Sequence, residues 1–307
     1  MTSGTVALAV LLAGAAAFAW GVLVERHWYV VRRVTLPGAL AAPGRLRILH
    51  VSDVHLIPPQ RRRVHFLTGL ARLDHDLLVI TGDLLGAEGA EDAAIAAIAP
   101  LTAPDRPGVL VLGSNDLYAP AFKTPLHYLR PGASRWPRTA ATAALEEPLG
   151  PTLDTDRLIA GLATEHVVTL RGEARILDTR AGRVAVGGFD DPHLATTVLP
   201  PPERVAPPAG DVVARLGVVH APYLAALDVL VDAGHDVLLA GHTHGGQVRI
   251  PVLGALTANC DLPLRQARGA SRHRGHWLHV SAGLGHGRYA PFRFACRPEV
   301  TLLELTA

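Results

Sequence analysis

The sequence predicts an α/β fold with a parallel central sheet. Five short runs rich in Leu, Val and Ile show little polar alternation, which is typical of strands that are covered on both faces. Helix-like stretches such as Arg63–Leu73 and Glu91–Ile98 lie between the runs, and this order predicts right-handed crossovers. Each run also ends in polar residues, as strands do where an open α/β sheet carries its site.

The elements follow in order along the chain. The predicted core strands are Leu46–Ser52, Leu77–Thr81, Val109–Leu112, Leu216–Val219 and Val237–Ala240. Asp154–Ala163 predicts a capped helix, and the runs Ala174–Leu177 and Val184–Phe189 predict a hairpin. Prolines interrupt Tyr118–Pro151, which leaves two interpretations, a lid or membrane-facing flap and a disordered insertion.

A polar motif follows each core strand. The motifs are Asp53-Val54-His55, Gly82-Asp83, Gly113-Ser114-Asn115-Asp116, His220 and Gly241-His242-Thr243-His244. In an extended segment Asp53 and His55 lie on the same side, and a carboxylate such as Asp83 can bridge two cations about 3.5–4 Å apart. Alone, an Asp-x-His pair is typical of a surface turn and His220 of a core histidine. The ordered set instead predicts a metal centre, and its mixed nitrogen and oxygen ligands favour Mn, Fe, Zn or Co over Mg or Ca.

The motifs together resemble the calcineurin-like metallophosphoesterase family. Gly241–Pro251 (GHTHGGQVRIP) is similar to the membrane-associated bacterial branch, as are Val34–Pro37, Phe189–Pro192 and the ending Gly283–Leu305. The resemblance implies a four-layer αββα sandwich over residues 34–307 and a dinuclear centre. It implies that Asp83 bridges two metals, one held by Asp53, His55 and His244, the other by Asn115, His220 and His242.

The third motif departs from the family pattern Gly-Asn-His-Asp. Ser114 stands in place of the asparagine ligand and Asn115 in place of the histidine that assists the leaving group. A one-residue shift of the backbone would make Asn115 the ligand, and Ser114 is the alternative. A second departure is Gly86, where many relatives carry an acidic residue. The candidate catalytic residues are Asp83, Asn115, Asp116 and His220, and His193 and His286 are further candidates near the substrate side.

The resemblance implies a phosphoesterase in which water activated by two metals hydrolyses a phosphodiester, phosphomonoester or pyrophosphate bond. We expect a phosphorylated small molecule or lipid as the substrate, in lipid-linked or nucleotide-linked form. A metal-binding membrane scaffold of weak activity is the alternative, because the third motif is altered. A net charge of +2 gives no indication of nucleic acid binding. The cluster Arg61–Arg63 predicts a solvated loop or, alternatively, a contact with an anionic substrate or lipid headgroup.

The first 33 residues predict a membrane anchor and a juxtamembrane segment. Thr5–Val24 is an uncharged apolar run, long enough to cross a bilayer as a helix. Arg26, Arg32 and Arg33 follow it, so the positive-inside rule places the enzyme domain in the cytoplasm. A cleaved signal peptide is the competing interpretation, although a charged segment ahead of the apolar run is missing. Cys260 and Cys296 have no metal-type spacing and could pair only in an exported domain.

Overall fold

A computed structural model describes residues 3–122, 150–194 and 197–307 of the chain. The helices are α1 (Ser3–Leu23), α2 (Arg61–Gly69), α3 (Glu91–Ile98), α4 (Ser114–Leu117), α5 (Thr155–Thr164), α6 (Pro202–Val205) and α7 (Leu224–Asp232). The strands are β1 (Val30–Leu36), β2 (Arg45–Val51), β3 (Leu77–Ile80), β4 (Gly108–Leu110), β5 (Val167–Thr169), β6 (Glu173–Thr179), β7 (Gly182–Phe189), β8 (Ala214–Val219), β9 (Val237–Ala240), β10 (Arg249–Ile250), β11 (Gly254–Ala255), β12 (Gly269–His273), β13 (His276–Val280) and β14 (Glu299–Thr306).

Within the described residues, the strands form two six-stranded sheets and one small hairpin. The first sheet has the order β1-β14-β2-β3-β4-β5, and the second has the order β12-β13-β9-β8-β7-β6. Strands β2 to β5 run parallel to one another, as do β7, β8, β9 and β13. Each sheet therefore has a parallel core, and its carboxyl edge is where an α/β fold places its site.

Three apolar clusters show how the layers stack. The middle cluster joins the two sheets face to face, with Val79 and Val109 of the first sheet and Val186 and Leu239 of the second among its buried members. A second cluster packs α2, α3 and α5 on the outer face of the first sheet, and a third packs α7 on the second sheet. This is the four-layer αββα sandwich that the family resemblance implies.

The core elements agree closely with the sequence analysis. Strand β9 and helix α3 have the predicted bounds, the hairpin of β6 and β7 is confirmed, and the other core strands differ at their ends by one or two residues. Helix α5 begins after Asp154, whose side chain accepts a hydrogen bond from the Arg157 N–H. The prediction for Tyr118–Pro151 lies largely outside the described residues; within them, Tyr118 bridges to Thr152.

Strand β1 was not foreseen. It pairs in parallel with β14, near the other end of the chain, from Val30 with Glu299 to Leu36 with Leu305. It therefore crosses residues 33 and 34, where the sequence analysis divides the anchor from the domain. The strand was missed because its partner lies about 270 residues away, and no local pattern reports so distant a pairing.

Helix α1 precedes this strand and is apolar and largely exposed. Residues Ser3–His27 are long and apolar enough to cross a membrane, a property that a signal sequence shares. The last turn of α1 touches the domain, since the Arg293 N–H donates to the Gly21 carbonyl and the rings of Phe18 and Phe292 are 5.8 Å apart.

Candidate metal centre

The predicted ligands meet at the carboxyl edges of the two sheets. Asp53 and His55 follow β2, Asp83 follows β3, Asn115 lies on α4 after β4, His220 follows β8, and His242 and His244 follow β9. The structure brings all of these side chains together. Two groups place one donor atom per residue within 4.8 Å of one another, the first being Asp53, His55 and His244 and the second being Asp53, Asp83 and His220. Carboxylate and imidazole donors in such groups fit a divalent transition metal.

Asp83 occupies the middle of the cluster. Its Oδ2 lies 3.3 Å from His55 Nε2 on one side and 3.5 Å from His220 Nε2 on the other. The same oxygen accepts a hydrogen bond of 2.9 Å from Asn115 Nδ2. One carboxylate thus faces ligands from both predicted sets, which is the position that a bridging ligand needs.

The first predicted set is a compact pair of imidazoles beside a carboxylate. His55 Nε2 lies 3.2 Å from His244 Nε2, which is 3.8 Å from Asp53 Oδ1. Burial lowers the pKa of both histidines well below the ordinary value, and neighbouring cations add to the effect. Both rings are therefore neutral at physiological pH, the form that binds metals.

In the second set, a backbone carbonyl orients His220. Its Nδ1 lies 2.6 Å from the Thr81 carbonyl oxygen, so Nδ1 donates and Nε2 faces the cluster. His242 Nδ1 lies 3.3 Å from this Nε2. Burial alone would lower the pKa of His220, but the carboxylates around it, Asp83 foremost, raise it to about 10. Without metal, His220 therefore carries the positive charge that balances these carboxylates.

The backbone at the predicted ligands is unusual. Asp53, His55, Asp83, His242 and His244 all have φ between 45° and 66°, the left-handed region that residues with side chains rarely adopt. Five strained positions in one cluster of predicted ligands are typical of a functional site. The surrounding glycines allow this crowding, since a Cβ on Gly113 would lie 2.1 Å from Asp83 Oδ1 and one on Gly241 would lie 1.9 Å from Ser52 Oγ.

The structure distinguishes the three polar residues of the altered third motif. Asn115 directs its side chain at Asp83, whereas Ser114 uses its backbone N–H to donate to Asp191. This placement favours Asn115 over Ser114 as the ligand, because rotation of the amide would turn its oxygen to the same position.

Asp116 is fully buried and serves the backbone around Asp83. Its Oδ2 accepts hydrogen bonds from the N–H groups of Asp83 at 2.7 Å and Gly113 at 3.0 Å, and its Oδ1 accepts one from Leu85 at 3.1 Å. Both oxygens are engaged by backbone donors, so the geometry indicates a positioning residue, whereas the sequence analysis predicts a catalytic one.

Asp191 is a further site residue, which was not predicted from the sequence. Asp191 is completely buried, and its Oδ2 lies 3.9 Å from His220 Nε2. Its other oxygen accepts a hydrogen bond from the N–H of His193, whose ring centroid is 4.3 Å from that of His242. The motif Phe189–Pro192 (FDDP) was the available signal, because it follows a strand just as the ligand motifs do.

Two buried arginines were missed as well. Arg63 donates to the carbonyl oxygens of Val54 and His55 at 2.6 and 2.7 Å, so the expectation of a solvated loop at Arg61–Arg63 is wrong for this residue. Arg293 is fully buried and donates to the carbonyl oxygens of Gly285 and Ala282, with His244 Nδ1 at 3.3 Å. Both hold ligand-bearing loops in place. Gly86 permits this packing, since a Cβ there would lie 2.7 Å from the His55 carbonyl carbon.

A chain of buried hydrogen bonds leads to Asp53. Thr81 Oγ1 donates to Ser52 Oγ at 2.6 Å, and Ser52 donates to Asp53 Oδ2. Because the Thr81 hydroxyl donates its one proton to Ser52, it accepts a hydrogen bond from His50 Nε2 at 2.9 Å. His50 Nδ1 must then accept from His279 Nδ1, also at 2.9 Å. Every donor in the chain points toward Asp53, which fixes the orientation of that carboxylate.

Comparison with known proteins agrees with this geometry. Residues 46–246, more than half of the chain, match the calcineurin-like phosphoesterase family. The chain is 37% identical to phosphodiesterase YaeI of Escherichia coli (strain K12) over 207 residues, which cover 65% of this chain and 71% of that protein.

Solved structures show a lower similarity. Phosphopantetheinyl hydrolase of Mycobacterium tuberculosis aligns with a TM-score of 0.39 and 10% identity, and the alignment covers 83% of this chain and 97% of the hydrolase chain. The protein TT1561 of Thermus thermophilus aligns with a TM-score of 0.39 and 12% identity, over 79% of this chain and 91% of its own. From the family match and the relative of 37% identity, the chain belongs to the calcineurin-like phosphoesterase family, whose members depend on metal, and is a hydrolase of phosphoric esters.

Proposed function

We propose that the protein is a two-metal phosphodiesterase, with Mn, Fe, Zn or Co as the metal. The position of Asp83 carries the proposal: one oxygen lies 3.3 Å from His55 Nε2 and 3.5 Å from His220 Nε2. Asp53, His55 and His244 would hold one ion, and Asn115, His220 and His242 the other. Bound cations of this kind supply an activated water and stabilise charge on phosphoryl oxygens.

The chain's own residues arrange the reacting groups. Neutral His55 and His244 bring lone pairs to the cluster without an added charge, and the Thr81 carbonyl keeps His220 Nε2 free for the second ion. Asp116 holds the Asp83 backbone through the hydrogen bond to its N–H. Such preorganisation keeps ligands within the small tolerance that catalysis demands.

A phosphodiester is the substrate class that we favour, in lipid-linked or nucleotide-linked form. The E. coli relative is named a phosphodiesterase. Asn115 occupies the place of the histidine that assists leaving groups in the family, which favours esters and anhydrides whose leaving groups need little protonation.

Activity with a chromogenic phosphodiester tests the proposal. Protein stripped of metal should hydrolyse bis(p-nitrophenyl) phosphate only after Mn²⁺ is restored, and Asp83→Asn should lower kcat/KM by at least about a thousandfold. Asp92→Asn is the matched control, since its carboxylate contacts Arg157 on the surface, away from the cluster. Binding of Mn²⁺ by the wild type without turnover would instead identify a metal-binding scaffold.

We propose further that α1 anchors residues 34–307 to the cytoplasmic face of a membrane. Support comes from its apolar length and the arginines that follow it. Among reporters fused to the C-terminus, one that is active only in the cytoplasm should be active, and one that is active only outside the membrane should be inactive. A mature protein that begins near Trp20 would overturn the anchor in favour of a signal peptide.

A further inference from the structure

The hairpin of β10 and β11 exposes an apolar tip beside the metal centre. Val252 is 106% exposed, Leu253 81%, Leu256 54% and Ile250 42%. These residues lie within seven positions of one another, and a run of this kind on a soluble surface marks an interaction site. The hairpin begins five residues after the predicted ligand His244, so its partner would sit close to the site.

The hairpin and α1 are attached to the same segment of the chain. The Arg249 N–H donates to the carbonyl oxygen of Phe294 at 2.9 Å, and the N–H of the adjacent Arg293 donates to the Gly21 carbonyl of α1. Phe292, in the same segment, contacts the ring of Phe18 on α1. The three consecutive residues Phe292, Arg293 and Phe294 therefore connect the hairpin to the base of the candidate membrane span.

Aromatic and basic side chains lie in the chain segments that adjoin these two elements. Tyr289 is exposed and packs edge-on against exposed Phe122, with their ring centroids 5.4 Å apart. At the end of α1, the guanidinium of Arg297 lies 4.0 Å above the ring of Trp28. Tyrosine, tryptophan and arginine are enriched where a protein meets lipid headgroups, and cations there are attracted to anionic lipids.

We propose that the hairpin tip, Ile250–Leu256, docks on the surface of a phospholipid bilayer beside α1. Val252 and Leu253 would enter the headgroup region, and the metal centre would face phosphodiesters presented at that surface. The link to the site is direct, because buried Arg293, whose segment anchors the hairpin, also contacts His244 at 3.3 Å. The substrate part of this inference rests on the proposed phosphodiesterase activity, whereas the docking part does not.

A fluorescent probe on the full-length protein tests docking. Leu253→Cys is labelled with an environment-sensitive dye, which is selective because Cys260 and Cys296 are buried. In vesicles of phosphatidylcholine and phosphatidylglycerol we expect a blue-shifted emission that doxyl lipids quench. Asp178→Cys is the control; Asp178 is an exposed residue of β6 that pairs with Arg183 of β7, at the opposite end of β7 from Asp191. Equal quenching of the two probes by aqueous iodide would overturn docking.

A pair of substrates with the same leaving group tests the consequence. Val252→Asp with Leu253→Asp should lower kcat/KM on hexadecyl p-nitrophenyl phosphate in vesicles by about tenfold or more. Turnover of soluble bis(p-nitrophenyl) phosphate should stay within about twofold, because neither residue touches the cluster. An equal loss on both substrates, or none on either, would overturn the assigned role of the hairpin in substrate access. If the wild type hydrolyses neither substrate, the phosphodiesterase proposal fails while the probe still decides docking.

Discussion

Replacing Asp116 with asparagine would separate a positioning role from a catalytic one. The carboxylate receives three backbone N–H groups, two of them on Oδ2. An asparagine can keep the two bonds on one oxygen, but its NH₂ then faces the N–H of Leu85. One buried backbone donor loses its partner, and two hydrogen bonds lose their charge.

The expected loss of stability follows from these contacts. The unpaired Leu85 N–H costs about 1–3 kcal/mol, and two hydrogen bonds changed from charged to neutral cost about 1 kcal/mol each. Asparagine also removes the buried charge, whose desolvation is the main cause of the raised Asp116 pKa and whose repulsion by Asp83 is the second cause, and this returns about 2 kcal/mol. Asp116→Asn should therefore lower the free energy of unfolding by about 1–3 kcal/mol, a substantial part of ordinary domain stability.

Urea unfolding of the metal-free protein in detergent measures this loss. The matched control is Asp92→Asn, whose exposed ion pair with Arg157 should change the free energy by less than about 1 kcal/mol. The folded fraction of Asp116→Asn should still bind metal, because both Asp116 oxygens are engaged by backbone donors and Asp116 is not among the predicted ligands. Unchanged stability together with lost turnover would refute the reasoning and assign Asp116 to the chemistry.

Three further predictions concern the metal centre and its surroundings. The pKa of His220 is raised to about 10, so below that pH a metal ion must displace a proton from the ring, and the apparent metal affinity should rise by about tenfold per pH unit. Calorimetry at pH 7 and pH 8 measures this affinity, and equal values at the two pH values would contradict the prediction. Because the histidine that protonates the leaving group is replaced, the rate should fall steeply across phosphodiesters of increasing leaving-group pKa; general acid catalysis is worth about 10²–10⁴-fold. A flat dependence, with chemistry rate-limiting, would indicate that another residue acts as the acid, and His193→Gln would be the first variant to test. His50→Leu should weaken metal binding by about 10–100-fold, because it breaks the chain of hydrogen bonds that orients Asp53. The control is His235→Leu, at another buried histidine that is bonded to the Val205 carbonyl, and it should leave metal binding unchanged. Equal effects of the two variants would mean general destabilisation.

The sequence predicts the core strands and the polar motifs that meet at the candidate metal centre because both depend on local pattern. Apolar runs of four to eight residues identify strands that are buried on both faces, and the polar motif after each run lies at the carboxyl edge by topology alone. The position of Asp83 between two ligand sets follows from this order. What the order cannot supply is the left-handed backbone at His242 and His244, since their loop is packed, at Gly241 and Gly245, against residues from distant parts of the chain such as Ser52 and Ala282.

The supporting residues escaped prediction because distant contacts define them. Nothing near Arg63 distinguishes it from its exposed neighbours Arg61 and Arg62, and its burial depends on the carbonyl oxygens of a loop eight residues earlier. Arg293 and His50 likewise acquire their roles from partners far along the chain. A single sequence records the residue types of such partners and not which of them meet.

Metal content of the wild type and of Asp83→Ala tests the central claim most directly. The claim is that Asp83 bridges two ions, because its Oδ2 faces His55 and His220 within 3.5 Å. Elemental analysis of protein reconstituted with Mn²⁺ and freed of excess metal should find about two ions per wild-type chain. Asp83→Ala should lose both, since a bridging ligand serves both sites. One ion in the wild type, or wild-type metal content in Asp83→Ala, would contradict the account.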